Sequence, residues 1–599
     1  MKGSSFFGVA LRLIPMQFRA APLHNLTLVL MQVFHALIWA LNIAAIRNLF
    51  DAIAGAQAGY IDFMGCLTPL LILAGITFAQ QLMNGLVNFY NSVAAGKTEG
   101  KIRTILQKKL GGLDPVLFEA PAFLDDLNKA KEGVKVFTNF CVMIIAFIFF
   151  YGLYFIFIGS YLFFLKPILL LTLMMSFIPA LFAQIVRGRV FTKLEEQNAP
   201  LRRENEYYQR SLCDREYFKE TRTLGAFRFF YNLYSETLLL LTGKIWQAER
   251  KTALLQLLLN ISSFFGMAGS SYLLFLALMS GEISIGAFTA VFASLGMIFS
   301  IMQEVVTRDL GVMNRDIGKL KNLIMVMDMP ERAGMEHNKS DDLIDFSLGI
   351  VAEDLSFRYP GREEDAVKDV SLSIAQGQTL AIVGENGAGK TTLVRLLTGL
   401  YHPRSGRVII GGLDSRGMAG PGLFKGISAV FQKYQRYKMT LKENVFLSDT
   451  GPAPDNTVIL NAVNEAGLEL EDGRLKLDTM LSPEFDGIDL SGGQWQRLAI
   501  ARRLYRSNGF IVLDEPTAAI DPIEETRIYR QFRQLAEGKS ALLVTHRLGS
   551  ARLAHSIIVM DGGRITDRGT HEELLSRPGK YANMWKAQAR WYDREEQGP

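Results

Sequence analysis

The sequence predicts a bundle of six membrane-spanning helices followed by a soluble α/β domain. Three observations predict it. Six apolar runs, each about as long as a membrane-crossing helix, lie in the first half. The Lys and Arg residues of that half crowd into alternate connections between the runs. Beyond them, an apolar strand pattern leads into a glycine-rich loop and then a helical pattern, as in soluble α/β domains.

The runs fall at 25–46, 63–86, 137–158, 162–185, 254–278 and 283–305. A soluble protein would rarely bury so many uninterrupted apolar segments. The chain has 599 residues, is 49% hydrophobic and carries a net charge of +5. Placement explains that charge. Lys97, Lys101, Arg103, Lys108, Lys109, Lys129, Lys131 and Lys135 lie between runs two and three, and Arg187 through Arg222 lie between four and five. The opposite connections are nearly bare of cations. The positive-inside rule then puts both termini, both long loops and the soluble domain in the cytoplasm, at the inner membrane with lipids around the bundle. The positive charge therefore needs no nucleic-acid partner. Cys66, Cys141 and Cys213 form no CxxC and no even framework, so disulfides and zinc are not expected.

The segment 1–24 mixes Lys2, Arg12 and Arg19 with apolar residues and lacks a cleavage pattern. It reads as an amphipathic elbow, and 25–330 as the membrane domain. The two long loops read as helical extensions, each with a short element at its far end: 114–130, broken by Pro115 and Pro121 with Phe118 and Phe123 as anchors, and 207–222, dense in mixed charge. Segment 331–349 is a polar linker, 350–585 the soluble domain and 586–599 a tail.

Strand 380–383 runs into Gly384, Glu385, Asn386, Gly387, Ala388, Gly389, Lys390 and Thr391, and a helix from Thr392 follows. This setting predicts a phosphate cradle of backbone N–H groups at a helix N-terminus. Lys390 reaches the β- and γ-phosphates and Thr391 holds Mg²⁺. A second apolar strand, 510–513, ends in Asp514 and Glu515. Asp514 suits the Mg²⁺ side, and Glu515 suits a base that polarises a water. ATP and Mg²⁺ are the expected ligands.

Leu490-Ser491-Gly492-Gly493-Gln494 resembles the signature motif of ATP-binding-cassette proteins. Around it, in the family's order, Tyr359 resembles the adenine-stacking aromatic and Gln432 the glutamine that senses Mg²⁺ and γ-phosphate. Asp521, in Ala518-Ala519-Ile520-Asp521, resembles the loop that links paired sites, and His546 the switch histidine. The chain is thus identified as a half-transporter of the exporter class. The resemblance implies the type I exporter fold, coupling helices at 114–130 and 207–222, and an exporter-specific loop at 484–487. It also implies a homodimer in which the phosphate loop of one copy meets Ser491, Gly492, Gly493 and Gln494 of the other. The runs 431–437 and 485–497 look most like the lanthipeptide-type peptide exporters, although Lys433 stands where that group often has an acid. With a first run starting near residue 25, no leader-peptidase domain is expected ahead of it.

Gln80, Asn84, Asn88 and Asn91 share one face of the second run, lining a cargo cavity or bonding between helices. Glu304 is placed with them, paired with Arg308 four residues on. The aromatic cluster 147–157 reads as lipid contact or bundle packing. The expected cargo is amphipathic, a peptide first. Multidrug or lipid export, an ATP-gated channel or regulator, and a soluble cassette ATPase are the alternatives.

Overall fold

The computed structural model describes residues 6–305, 310–332, 344–418, 423–424, 426–432, 434–451, 455–468, 470, 475–506, 509–515, 529–530, 532–534 and 536–593. The chain packs as two units, 1–108 with 125–328, and 109–124 with 329–599.

The first unit is helical. Helix α1 (Phe6–Ala20) buries Val9, Leu13, Gln17 and Ala20, a stripe at helical spacing. It meets α2 (Pro22–Gln57) at a polar joint, where the Asn25 amide donates to Gln17 O and Ala21 O, both at 2.8 Å. Then come α3 (Phe63–Gly111), α4 (Pro121–Ala146), α5 (Leu153–Leu165), α6 (Pro167–Cys213), α7 (Phe218–Thr223), α8 (Phe227–Met279), α9 (Ile285–Gln303) and α10 (Leu310–Asp328). Among the described residues, six helical stretches are long and apolar enough to cross a membrane: α2, α3, α4 through α5, α6, α8 and α9.

The fourth run requires a correction. Leu162, 1% exposed, still belongs to the third crossing, which ends at Leu165, and the fourth begins only at Pro167. Apolarity alone does not mark this boundary; Lys166-Pro167 does, because Pro starts a helix readily and cannot continue the previous one. The sixth run starts at Ile285. There Ser284 caps Ala287 N–H, and the Asp51 carboxylate of α2 accepts from Gly286 N–H at 2.8 Å, an anion at a helix N-terminus. The aromatic cluster divides its roles. Phe150 and Tyr154 are buried, with Phe150 stacked on His35 at 4.6 Å, whereas Phe147 and Phe157 face outward. A π-helical turn, Phe147–Gly152, joins α4 to α5 and shifts the ring positions by one residue.

The second unit holds two sheets. A four-stranded antiparallel sheet runs in the order β2 (Val367–Ile374), β1 (Ile350–Phe357), β4 (Ser405–Ile410), β5 (Leu413–Asp414). A six-stranded sheet runs β10 (Arg564–Gly569), β9 (Ser556–Asp561), β3 (Thr379–Gly384), β8 (Ser540–Val544), β7 (Phe510–Asp514), β6 (Ile427–Val430). Strands β9 to β6 are parallel, and β10 is an antiparallel edge. Strands β3, β7 and β8 are buried along their whole length, as parallel strands covered on both faces must be. Helix α11 (Lys390–Leu397) follows β3. Helices α12 (Leu441–Phe446), α13 (Asn456–Glu465) and α14 (Gly492–Tyr505) share a core with β3, β7 and β8. Residues 109–124, at the far end of a long helical loop, pack with this unit.

Candidate active site

In an open parallel sheet, ligands bind beyond the carboxyl ends of the strands. Here β6, β7, β8 and β3 end side by side. Gln432 lies just past β6, Asp514 and Glu515 at the end of β7, His546 just past β8, and Gly384 at the end of β3. Sequence neighbours do not bring these residues together; the strand order does.

The phosphate loop requires its glycines. Gly384 has φ +152°, and a Cβ there would stand 2.3 Å from Met560 O. Gly389 has φ +96° at the N-cap of α11, and a Cβ would stand 2.4 Å from Ala366 O. No side chain fits either position. Lys390 is buried and donates to Gly384 O at 2.9 Å and Glu385 O at 3.0 Å, so its ammonium is folded back over the loop. Glu385, Asn386 and Gly387 are exposed, Ala388 and Thr392 buried, and Thr391 half-buried. Lys580, on a C-terminal helix, pairs with Glu385 at 3.2 Å and Asp561 at 2.9 Å.

Three residues converge on the Glu515 carboxylate. Gln432 Nε2 donates to its Oε2 at 2.8 Å. Lys390 Nζ lies 3.8 Å, and His546 Nδ1 3.6 Å, from its Oε1. Glu515 has φ +46°, in the left-handed region, while its N–H continues the ladder to Val544 O at 3.0 Å. A β-carbon in that region costs about 1–2 kcal/mol, and such strain clusters at functional positions.

Asp514 is fully buried, and among the described residues neither of its carboxylate oxygens has a hydrogen-bond partner. Burial, then the Glu515 charge, pushes its carboxyl up to about 6, with Thr391, Arg395 and Lys390 opposing. A buried carboxylate with idle lone pairs, beside Thr391 and near Gln432, fits a hard divalent cation that prefers oxygen ligands.

The signature residues form a helix start. Ser491 caps α14: its Oγ accepts from Gln494 N–H at 3.2 Å, and Gln494 Oε1 accepts from Ser491 N–H at 3.0 Å. Tyr434 OH donates to Gly492 O at 2.9 Å. Ser491 is exposed, with Gly492, Gly493 and Gln494 half-buried. Among the described residues, no hydrogen bond or ion pair joins this cap to the phosphate loop of the same chain. Asp521 lies outside the described residues. Tyr359 follows β1, and its hydroxyl hydrogen-bonds the Thr392 hydroxyl at 3.0 Å. In the 484–487 loop, Glu484 pairs with Lys438, and Asp486 adopts φ +57°.

The polar face of α3 splits. Gln80 is buried and Asn91 half-buried, whereas Asn84 and Asn88 are exposed in the single chain and bond each other at 3.4 Å. Glu304 is the C-cap of α9, its N–H bonded to Ile301 O and Ser300 O. Its expected partner Arg308 lies outside the described residues.

Residues 367–518 match the family model described as ABC transporter. This chain carries an ABC transporter domain behind its membrane-type helices. Over 89% of its length it is 28% identical to the subtilin transport ATP-binding protein SpaT of Bacillus subtilis, covering 87% of that protein. It is 31% identical to the nisin transport ATP-binding protein NisT of Lactococcus lactis subsp. lactis, over 55% of this chain and 54% of that one. It is 33% identical to the ATP-dependent lipid A-core flippase of Aromatoleum aromaticum, over 53% and 52%. The last two matches therefore span about half the length of those relatives. The fold matches a bacterial Atm1-family ABC exporter with ATP bound, at TM-score 0.73 and 22% identity, over 96% of this chain and 98% of that one. The chain is a multi-pass membrane protein with an ATPase coupled to transport.

Sequence reading missed Glu119, Arg395 and Tyr401, which form one polar cluster with Tyr359. Lone charged residues on loops and helix faces give no local signal. The only hint was the punctuation at Pro115 and Pro121.

Proposed function

We propose that two copies of this chain form an exporter that hydrolyses Mg-ATP to move an amphipathic peptide out of the cytoplasm. The observation that carries the ATPase chemistry is the convergence of Gln432, Lys390 and His546 on Glu515. Glu515 accepts the proton of the attacking water, and Gln432 orients its carboxylate. Lys390 turns from its backbone acceptors to the phosphates, and His546 reaches the terminal one. Mg²⁺, held by Asp514 and Thr391 with Gln432 nearby, would neutralise charge developing on the phosphates. Tyr359 offers a ring to adenine.

The exposed Ser491 cap supports the dimer. It presents a helix N-terminus and a hydroxyl O–H donor, suited to a phosphate supplied by another copy. Asp521 is proposed to belong to that shared site. The domain limits 1–24, 25–330, 331–349, 350–585 and 586–599 remain our working division, with coupling elements in 114–130 and 207–222. The K/R bias supports cytoplasmic termini and a cytoplasmic ATPase.

The peptide reading draws on the subtilin relative, matched over most of both chains. A lipid cargo is the second reading, favoured by the flippase matches over about half of each chain. The discriminating experiment reconstitutes the chain in lipid vesicles and compares ATPase stimulation by cationic amphipathic peptides and by lipid A. Stimulation and vesicle uptake with peptides alone support the first reading. A response to lipid A alone replaces it.

A further inference from the structure

We propose that Glu119 and Arg395 form a positioning pair through which the turn Pro115–Glu119 sets the orientation of Tyr359, and with it the grip on ATP. The inference rests on the nucleotide reading above and adds residues that it does not use.

Glu119 ends a 3₁₀ turn that Asp114 caps and that Pro115 and Pro121 bracket, so its backbone is held from both sides. Its Oε1 accepts from Tyr401 OH at 2.6 Å and from Arg395 Nη1 at 3.0 Å. The same Nη1 lies 3.1 Å from both Tyr359 OH and Tyr401 OH. Tyr359 OH in turn hydrogen-bonds Thr392 Oγ1, two residues beyond Lys390. A continuous polar path thus runs from the loop turn to the phosphate-loop helix.

The geometry assigns donors and acceptors. A guanidinium only donates, so both phenols accept from Arg395. Tyr401 then donates to Glu119, and Tyr359 shares a hydroxyl–hydroxyl hydrogen bond with Thr392. Burial and the Glu119 hydrogen bond both push the Tyr401 phenol up, so it stays a donor at any physiological pH. Tyr401 is itself packed in place, 3% exposed and stacked on Phe357 at 5.5 Å. Arg395 therefore has one fixed anchor in Tyr401, one charge partner on the turn in Glu119, and one adjustable partner in Tyr359. Moving or neutralising Glu119 frees the guanidinium, and the Tyr359 hydroxyl loses the donor that aims it.

The test uses the full chain in lipid vesicles, with ATP KM and kcat measured together. Glu119→Gln should raise KM for ATP about three- to tenfold, the net worth of about one ordinary hydrogen bond passed on to Tyr359, with kcat within about twofold of the parent. Glu119→Asp keeps the charge and should restore most of the affinity. Tyr359→Phe should raise KM comparably, and the double variant Glu119→Gln with Tyr359→Phe should be no worse than the weaker-binding single. Additive losses would mean that the pair does not act through Tyr359 and would overturn the proposal. So would a parental KM in Glu119→Gln, or an equal fall of kcat with a lowered melting temperature, which marks a purely structural contact. If Glu119→Gln does not fold, Arg395→Gln carries the same expectation, and a parental KM there is equally fatal. Lys390→Ala separates the two levels. Normal ATP binding in that variant would defeat the nucleotide reading itself; its loss, together with parental Glu119→Gln kinetics, defeats only this inference.

Discussion

The Gln432 amide donates to the Glu515 carboxylate at 2.8 Å, across strand ends separated by about 80 residues of chain. Replacing Glu515 by Gln keeps the shape and removes the base. ATP binding should persist while turnover falls at least about a hundredfold, and the nucleotide-bound pair of chains should accumulate. Equilibrium binding of a fluorescent ATP analogue beside steady-state hydrolysis checks this. Parental turnover in Glu515→Gln would remove Glu515 as the base. Lys390→Ala should instead weaken binding itself, because a charge-assisted phosphate contact is lost.

The left-handed φ of Glu515 predicts a stability gain at the expense of activity. Glu515→Gly should stabilise the nucleotide-free chain by about 1 kcal/mol while abolishing hydrolysis. Thermal melting of the variant and the parent without nucleotide measures the difference. A lower melting temperature for the glycine variant would show that the position is not strained.

Asp514 makes the pH dependence specific. Its carboxyl is raised to about 6 in the folded chain, above the usual carboxylate range. Below about pH 4 both folded and unfolded states hold the proton, so it has no effect. As pH rises from about 4 to 6, the unfolded state ionises first, and folded stability falls by an amount on the order of 3 kcal/mol that persists above pH 6. Asp514→Asn should therefore melt higher than the parent at pH 7.5, with the gap closing toward pH 4, when no divalent cation or nucleotide is present. Added Mg-ATP should stabilise the parent and not the variant. A gap that does not change with pH would mean that Asp514 is not buried as an acid.

Asn84 and Asn88 test the cargo face. Replacing both with Leu should reduce peptide-stimulated ATPase several-fold and leave basal ATPase within about twofold, since both are open side chains on α3 far from the nucleotide residues in sequence. Equal loss of basal activity and of folded yield would instead assign them to helix packing.

The exposed Ser491 cap and the single cassette per chain predict a pair in the membrane. Mass measurement in detergent, with Glu515→Gln and ATP present, should give twice 66.9 kDa. A fully active single copy would overturn the homodimer.

What the sequence by itself determined is whatever depends on short-range chemistry. Six apolar runs report their own membrane character, because every backbone polar group in lipid must be satisfied within the segment. The Gly384–Lys390 string reports its cradle, because only glycine tolerates those φ values and contacts. Asp514 and Glu515 could be singled out because two acids ending a buried strand have no packing use. Tertiary structure alone decided the rest. It brought Gln432, Glu515 and His546 within reach of one another, since strand order is set by pairing between distant segments. It separated Gln80, buried against the bundle, from Asn84, left open on the same face. It placed Glu119 against Arg395 and Tyr401, residues whose meeting leaves no trace in local spacing.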